Sequence, residues 1–90
     1  MAHPLPRWRE ICFRYRVPKD LRTRARELPF TVITDGDALQ ITPESTGKTR
    51  PLTQREFERG VALLGSSSIT AATQNASYIE AIVLDLTGDD

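Results

Sequence analysis

Apolar residues recur along this chain first at helical spacing, then at strand spacing, then at helical spacing again. Trp8, Ile11, Cys12 and Tyr15 stand at i, i+3, i+4 and i+7, so residues 5–16 are predicted to form an amphipathic helix. Pro6 suits its first turn, where no backbone N–H is needed. Arg7, Arg14 and Arg16 fall largely off the apolar face, and Phe13 lies beside it. The Val17-Pro18 step ends the helix, because a residue before proline is pushed out of the α region. Leu21, Ala25 and Leu28 give a second apolar stripe, predicting a second helix over residues 19–28. Asp20 in its first turn complements the helix dipole. Arg22 and Arg26 form an i, i+4 cationic pair on another face, and Pro29 closes the helix.

From Phe30 the pattern changes. Phe30-Thr31-Val32-Ile33-Thr34 is aromatic and β-branched, which favours a strand. Asp35-Gly36-Asp37 is a hairpin turn, since glycine tolerates positive φ. Residues 38–42 continue as a second strand with Leu39 and Ile41 on one face. Pro43-Glu44-Ser45-Thr46-Gly47 is another turn, and Lys48 to Leu52 reads as a short third strand. Pro51 cannot donate to a ladder, which puts that strand at an edge.

Thr53 with Glu56 makes a capping box that starts a helix running to about Leu64 and ending at Gly65. Phe57, Val61 and Leu64 form its buried face. Ser66-Ser67-Ser68 is a loop, and Ile69 to Asn75 is ambiguous. Ser77 with Glu80 is a second capping box, starting a last helix through Leu86 that Gly88 stops. Tyr78, Ile79, Ile82, Val83 and Leu86 cover more than one face, so this helix is either central in the core or part of a dimer interface. The expected fold is therefore α+β. It is a small antiparallel β-meander of two or three strands, with two N-terminal and two C-terminal helices packed on one face.

Ninety residues make a single domain with one modest core, with residues 1–4 and 88–90 expected to fray. At that size, association with a partner or a second copy is a live expectation. Apolar content of 39% and charged content of 27% fit an ordered protein. No apolar run approaches the roughly 18 residues that span a bilayer. Met1 to Pro6 lack the charged start and apolar core of a signal peptide, so the expected location is cytoplasmic. Cys12 and His3 are the only cysteine and histidine, too few for a protein-only zinc site. On an apolar helix face, Cys12 reads as an inert thiol rather than a nucleophile.

Net charge is zero, but residues 1–30 hold eight cations against three acids and residues 31–90 hold four against nine. Such asymmetry marks either a polyanion-binding face or two parts that dock and neutralise each other. Seven of the eight N-terminal cations are arginine, which favours forked contacts to phosphate or carboxylate.

Candidate chemistry narrows quickly. Gly47-Lys48-Thr49 invites a nucleotide reading, but a phosphate-cradling loop needs glycine at Thr42 and must open a helix, whereas Pro51 and the Thr53 cap intervene. A hairpin turn is the expectation there. Asp35 and Asp37, with Glu44, are explained by turn chemistry rather than by a carboxylate pair or a metal site. His3 is the only base for a nucleophilic triad and sits near the end of the sequence. No cofactor, metal or enzymatic activity is expected.

The cations remain. Arg22, Arg26, Lys48, Arg50 and Arg55 are the candidate nucleic-acid contacts. A helix–turn–helix of residues 7–16 and 19–28 would offer its second helix to a groove, although the connection lacks the usual glycine. Trp8, Tyr15, Phe30 and Phe57 read as core, while Phe13 and Tyr78 are the aromatics whose exposure matters for base stacking.

The pattern Thr46-Gly47-Lys48, Arg50-Pro51-Leu52-Thr53 and Glu56-Phe57-Glu58, followed by Asn75-Ala76-Ser77-Tyr78-Ile79, resembles small bacterial and mobile-element proteins of uncharacterised role. It is also similar to accessory segments beside the nuclease domain of some HNH-type restriction endonucleases. The resemblance covers residues 45–86 and none of the N-terminal segment. It implies an accessory or DNA-contacting role near mobile DNA. HNH metal-binding histidines do not occur here, so no nuclease activity carries over. The expectation is a non-enzymatic binding module that contacts nucleic acid through the five cations. The alternative is a protein-interaction or homodimerising subunit that uses the apolar C-terminal helix.

Overall fold

A computed structural model describes residues 6–24, 26–64 and 75–88. The elements run α1 (Trp8–Arg14), β1 (Lys19–Arg22), β2 (Pro29–Asp35), β3 (Ala38–Pro43), β4 (Arg50–Leu52), α2 (Gln54–Ala62) and α3 (Ala76–Thr87). The architecture is α+β: one four-stranded antiparallel sheet in the order β1-β2-β3-β4, with the three described helices on one face.

The meander follows from its turns. Asp35 pairs with Ala38, and Gly36 between them takes φ 66°, the left-handed value that a two-residue hairpin needs at its first central position. Gly47 takes φ 66° in the β3–β4 connection, where its N–H donates to the Pro43 carbonyl at 2.8 Å. The Gly47-Lys48-Thr49 triplet thus belongs to a hairpin turn that leads into a strand, and β4 is an edge strand carrying Pro51, as the sequence predicts.

The largest departure is at residues 19–28, where a second helix was expected. Lys19–Arg22 is instead the other edge strand, paired Leu21 to Phe30 and Lys19 to Val32. The chain then turns back from Arg22 to Pro29. Thr23 is buried there; its N–H donates to the Leu28 carbonyl and its Oγ1 accepts from the Leu28 N–H, both at 3.0 Å. Glu27 takes φ 52° in this turn, and Leu28, expected on a buried helical stripe, is 43% exposed. A helix bounded by Pro18 and Pro29 would have buried three small apolar groups. Pairing along β2 satisfies a ladder of backbone groups and buries Leu21 beside Phe30, so tertiary context overrides local propensity. The expected helix–turn–helix is therefore absent.

Strand alternation puts Leu21, Phe30, Val32, Leu39, Ile41 and Leu52 on the helix-covered face, and most of them are fully buried. α1 adds Ile11 and Tyr15, with Trp8 and Cys12 half-buried, on the face its spacing predicts. It is fastened to the sheet by Thr34 N–H to the Tyr15 carbonyl at 2.8 Å, Thr34 Oγ1–H to the Cys12 carbonyl, and Trp8 Nε1–H to the Asp37 carbonyl at 2.8 Å. The opposite face, with Thr31, Ile33, Gln40, Thr42 and Pro51, carries no described helix.

Thr53 caps α2 by accepting from the Glu56 N–H at 3.2 Å, and the Glu56 carboxylate accepts from Asn75 Nδ2 at 2.9 Å, tying the starts of α2 and α3 together. The predicted box at Ser77 and Glu80 does not start α3. Asn75 is the N-cap, and Ser77 lies inside the helix. Gly88 ends α3 in the left-handed conformation at φ 72°, as predicted. α3 buries Ile79, Ala81 and Ile82, while Tyr78, Val83 and Leu86 pack on the same core, so much of its apolar surplus is absorbed by this chain. The expectations for residues 65–74, and for the chain ends at 1–4, 89 and 90, lie outside the described residues.

Gly60 sets how closely α2 and α3 approach. A Cβ there would meet Ile79 Cδ1 at 2.5 Å and Cγ2 at 3.3 Å. Gly60→Ala gains about 1 kcal/mol of helix propensity against that crowding, so urea unfolding should show little change. Gly60→Val adds further atoms toward the fully buried Ile79 and is expected to lose about 1–3 kcal/mol. Equal midpoints for glycine and valine would refute the close approach of the two helices.

Candidate functional site

Antiparallel register decides which loops share an end of the sheet. Arg22 pairs with Pro29 and Phe30 pairs with Pro43, so the β1–β2 turn (residues 23–28) and the β3–β4 turn (residues 44–49) lie side by side. The Glu44 N–H donates to the Pro29 carbonyl at 3.1 Å and joins them. With neighbouring strands about 4.8 Å apart, the two turns are about 10 Å apart, centre to centre. This loop end carries Arg22, Arg24, Arg26 and Lys48, all exposed. None of the four forms an ion pair among the described residues. The acids at this end are Glu27 and Glu44 in the turns and Asp20, which lines a depression with Arg22, so four cations stand against three carboxylates.

Of the five predicted contacts, the fold brings three together. Arg22 ends an edge strand and Arg26 lies in the turn after it, so the helical i, i+4 pair does not exist, yet both reach the loop end with Lys48. Arg50 is elsewhere. It pairs with Ile41 on the helix-covered face, half-buried, with its guanidinium 5.9 Å from the Tyr78 ring centroid. Arg55 follows the cap of α2 and lines a shallow depression with Asp37 and Ala38, at the opposite end of β2 and β3, roughly 20 Å away by strand rise. Arg24 was not among the predicted contacts. Its signal was the alternation Arg22, Arg24, Arg26, which the helical reading scattered around a helix.

A second cluster escaped the sequence reading altogether. Asp85 on α3 accepts from Tyr15 O–H at 2.6 Å, Lys19 Nζ at 2.6 Å and Arg14 Nε at 3.1 Å; Arg14 Nη2 also donates to the Asp85 carbonyl at 3.1 Å. Burial opposes ionisation of this carboxyl, yet the hydrogen bonds from Lys19, Tyr15 and Arg14 outweigh it and hold Asp85 below the usual carboxylate range. Burial pushes the Tyr15 phenol up, and its bond to Asp85 pushes it further. The arrangement fastens α3 to α1 and β1. Among the described residues, the ion pairs between the basic N-terminal part and the acidic C-terminal part are those of Arg14 and Lys19. The one detectable hint was an acid set between Leu84 and Leu86 in a mostly apolar helix.

Burial first, then the charge of Asp37, push the Cys12 thiol up, which suits an unreactive sulfur. Among the described residues, no group of three or more His, Cys, Asp or Glu side chains is arranged to hold a metal ion. Asp35 and Asp37 sit at one end of β3 and Glu44 at the other, so the three carboxylates do not converge. No described helix is long and apolar enough to cross a membrane. No protein-family model, curated protein or solved structure matches this chain.

Proposed function

We propose that this chain is a non-enzymatic binding module that contacts nucleic-acid phosphates through the loop end of its sheet. The observation that carries this reading is the set Arg22, Arg24 and Arg26, exposed and free of ion pairs among the described residues, on the same end as Lys48. Arg14 and Lys19, by contrast, are paired with Asp85. The loop-end arginines are left facing solvent, where forked donors suit phosphate oxygens. Arg50 and Arg55 stand outside this set. A role near DNA is also what the likeness of residues 45–86 to mobile-element proteins implies.

Fluorescence anisotropy with a labelled oligonucleotide, titrated across salt, tests the reading. Four phosphate contacts predict that log K falls with log salt at a slope of about −3 to −4. The Arg22→Glu/Arg24→Glu/Arg26→Glu variant should bind at least about tenfold more weakly and lose most of that slope. Arg55→Glu should bind as the parent does. No binding at low salt, or a triple variant of unchanged affinity, would overturn the proposal.

The expected alternative, self-association through the C-terminal helix, has less surface to draw on, because α3 turns Ile79, Ala81 and Ile82 into this chain's own core. The large apolar side chains most exposed are Phe13 at 64% and Val17 at 63%, at the end of α1 and just after it.

A further inference from the structure

Resting on the phosphate-binding reading above, we infer that the ligand is a double-stranded nucleic acid held by its two phosphate ridges, not a single strand held by its bases. Sequence-tolerant single-strand binding combines cations with aromatic rings on which bases stack. The loop end offers no free ring. Tyr15, Phe30 and Phe57 are buried. Trp8 packs on Phe57 with ring centroids 5.5 Å apart and donates to Asp37 at the far end of the sheet. Phe13 is exposed, but α1 is fastened at that same far end, and the Arg16 guanidinium already lies 3.9 Å from the Phe13 ring centroid. Tyr78 is half-buried and its ring already has protein neighbours, Phe30 at 4.9 Å between centroids and the Arg50 guanidinium at 5.9 Å. The sheet face that carries no described helix, from Thr31 to Pro51, contributes threonine, glutamine, isoleucine and proline but no aromatic residue.

The loop end has two cationic prongs at a fixed separation. Arg24 and Arg26 tip the β1–β2 turn, and Lys48 tips the β3–β4 turn about 10 Å away. That turn-to-turn spacing is closest to the major groove of B-form DNA, about 12 Å wide, and long arginine and lysine side chains can span the remaining difference to reach the ridge on each side. Glu44 lies between the two turns, bonded through its N–H to Pro29 and lining one depression with Arg22 and Asp20. A flexible single strand presents neither two ridges nor a fixed spacing. Neither turn carries the amide side chain that reads adenine, so any base preference would come from the arginines, which pair with guanine edges.

The test uses the full chain with labelled duplex DNA of about 20 base pairs, duplex RNA of the same sequence, and the corresponding single DNA strand, all at about 50 mM salt. Binding to at least one duplex should be about tenfold or more tighter than to the single strand. The relative strength of the two duplexes identifies which groove geometry the prongs match. Lys48→Glu should weaken duplex binding and lower the salt slope by about one to two, since one prong is reversed. A single strand bound as tightly as both duplexes overturns this inference and leaves the phosphate-binding reading standing. An unchanged duplex affinity in Lys48→Glu overturns the two-pronged contact. Failure of all three probes overturns both readings.

Discussion

Truncating Phe30 to alanine is expected to lower the unfolding free energy by about 3–5 kcal/mol, the range for a large aromatic removed from a packed core. Phe30 is 1% exposed on β2, sits between Leu21 of β1 and Pro43 of β3, and takes the Tyr78 ring of α3 at 65° and 4.9 Å. The aromatic pair adds about 0.5–1.5 kcal/mol beyond the area buried. Domains of this size hold about 5–15 kcal/mol in total, so the variant stands near the edge of folding. Urea unfolding followed by far-ultraviolet circular dichroism should show a lower midpoint with an unchanged slope. Phe13→Ala is the control: its ring is 64% exposed, and its effect should stay within about 0.5 kcal/mol. A Phe30→Ala loss no larger than that of Phe13→Ala would mean that α3 does not pack on the sheet at this point. Phe30 also lies two residues beyond the β1–β2 turn. The same variant should therefore loosen the loop end that carries Arg24 and Arg26, and phosphate binding should fall with stability.

The meander was legible because its cues are local. Gly36 and Gly47 occupy left-handed turn positions, Pro51 marks an edge, and Thr53 caps a helix by its own hydroxyl. Residues 19–28 were not legible, because Leu21, Ala25 and Leu28 match a helical period as well as Leu21 matches a strand. The choice between them is made by β2, whose edge needs a partner, and by Thr23, which closes the turn with two hydrogen bonds. The same ambiguity governed the candidate site. A helical reading spaces Arg22 and Arg26 on one face and sets Arg24 apart, whereas a strand and turn bring all three to one end. That Arg55 belongs to the far end depends on the direction of β4, which only the register reveals. Asp85 was invisible for a related reason: its partners Arg14, Tyr15 and Lys19 lie 66 to 71 residues away in the chain.

Asp85→Ala is expected to cost about 2–3 kcal/mol, most of it through one bond. The Asp85 side chain is 14% exposed, while those of Arg14 and Lys19 are each 43% exposed, so solvent screening holds the two ion pairs to about 1 kcal/mol or less apiece. Tyr15 is fully buried, and its hydroxyl donates to the carboxylate at 2.6 Å; a hydrogen bond to a charged acceptor contributes about 1.5–3 kcal/mol. Tyr15→Phe removes that donor but leaves Arg14 and Lys19 on the carboxylate, so it should cost less than Asp85→Ala. Asp85→Asn keeps one acceptor oxygen for Tyr15, loses the charge and sets an NH2 donor against Lys19, so the pH dependence of its effect, rather than its size, is what reads the charge. The carboxyl is held below its usual range in the folded chain, so its contribution is fully present above the unfolded value of about 4. It is lost as pH falls through the folded value. The stability gap between the parent and Asp85→Asn should therefore be constant from about pH 5 to 7 and close toward pH 2. A gap as wide at pH 2 as at pH 7 would assign the stabilisation to packing around Asp85 rather than to its charge. The fastening of α3 to α1 and β1 would then rest on apolar packing, with Ile79, Ala81 and Ile82 in the core and Tyr78, Val83 and Leu86 against it.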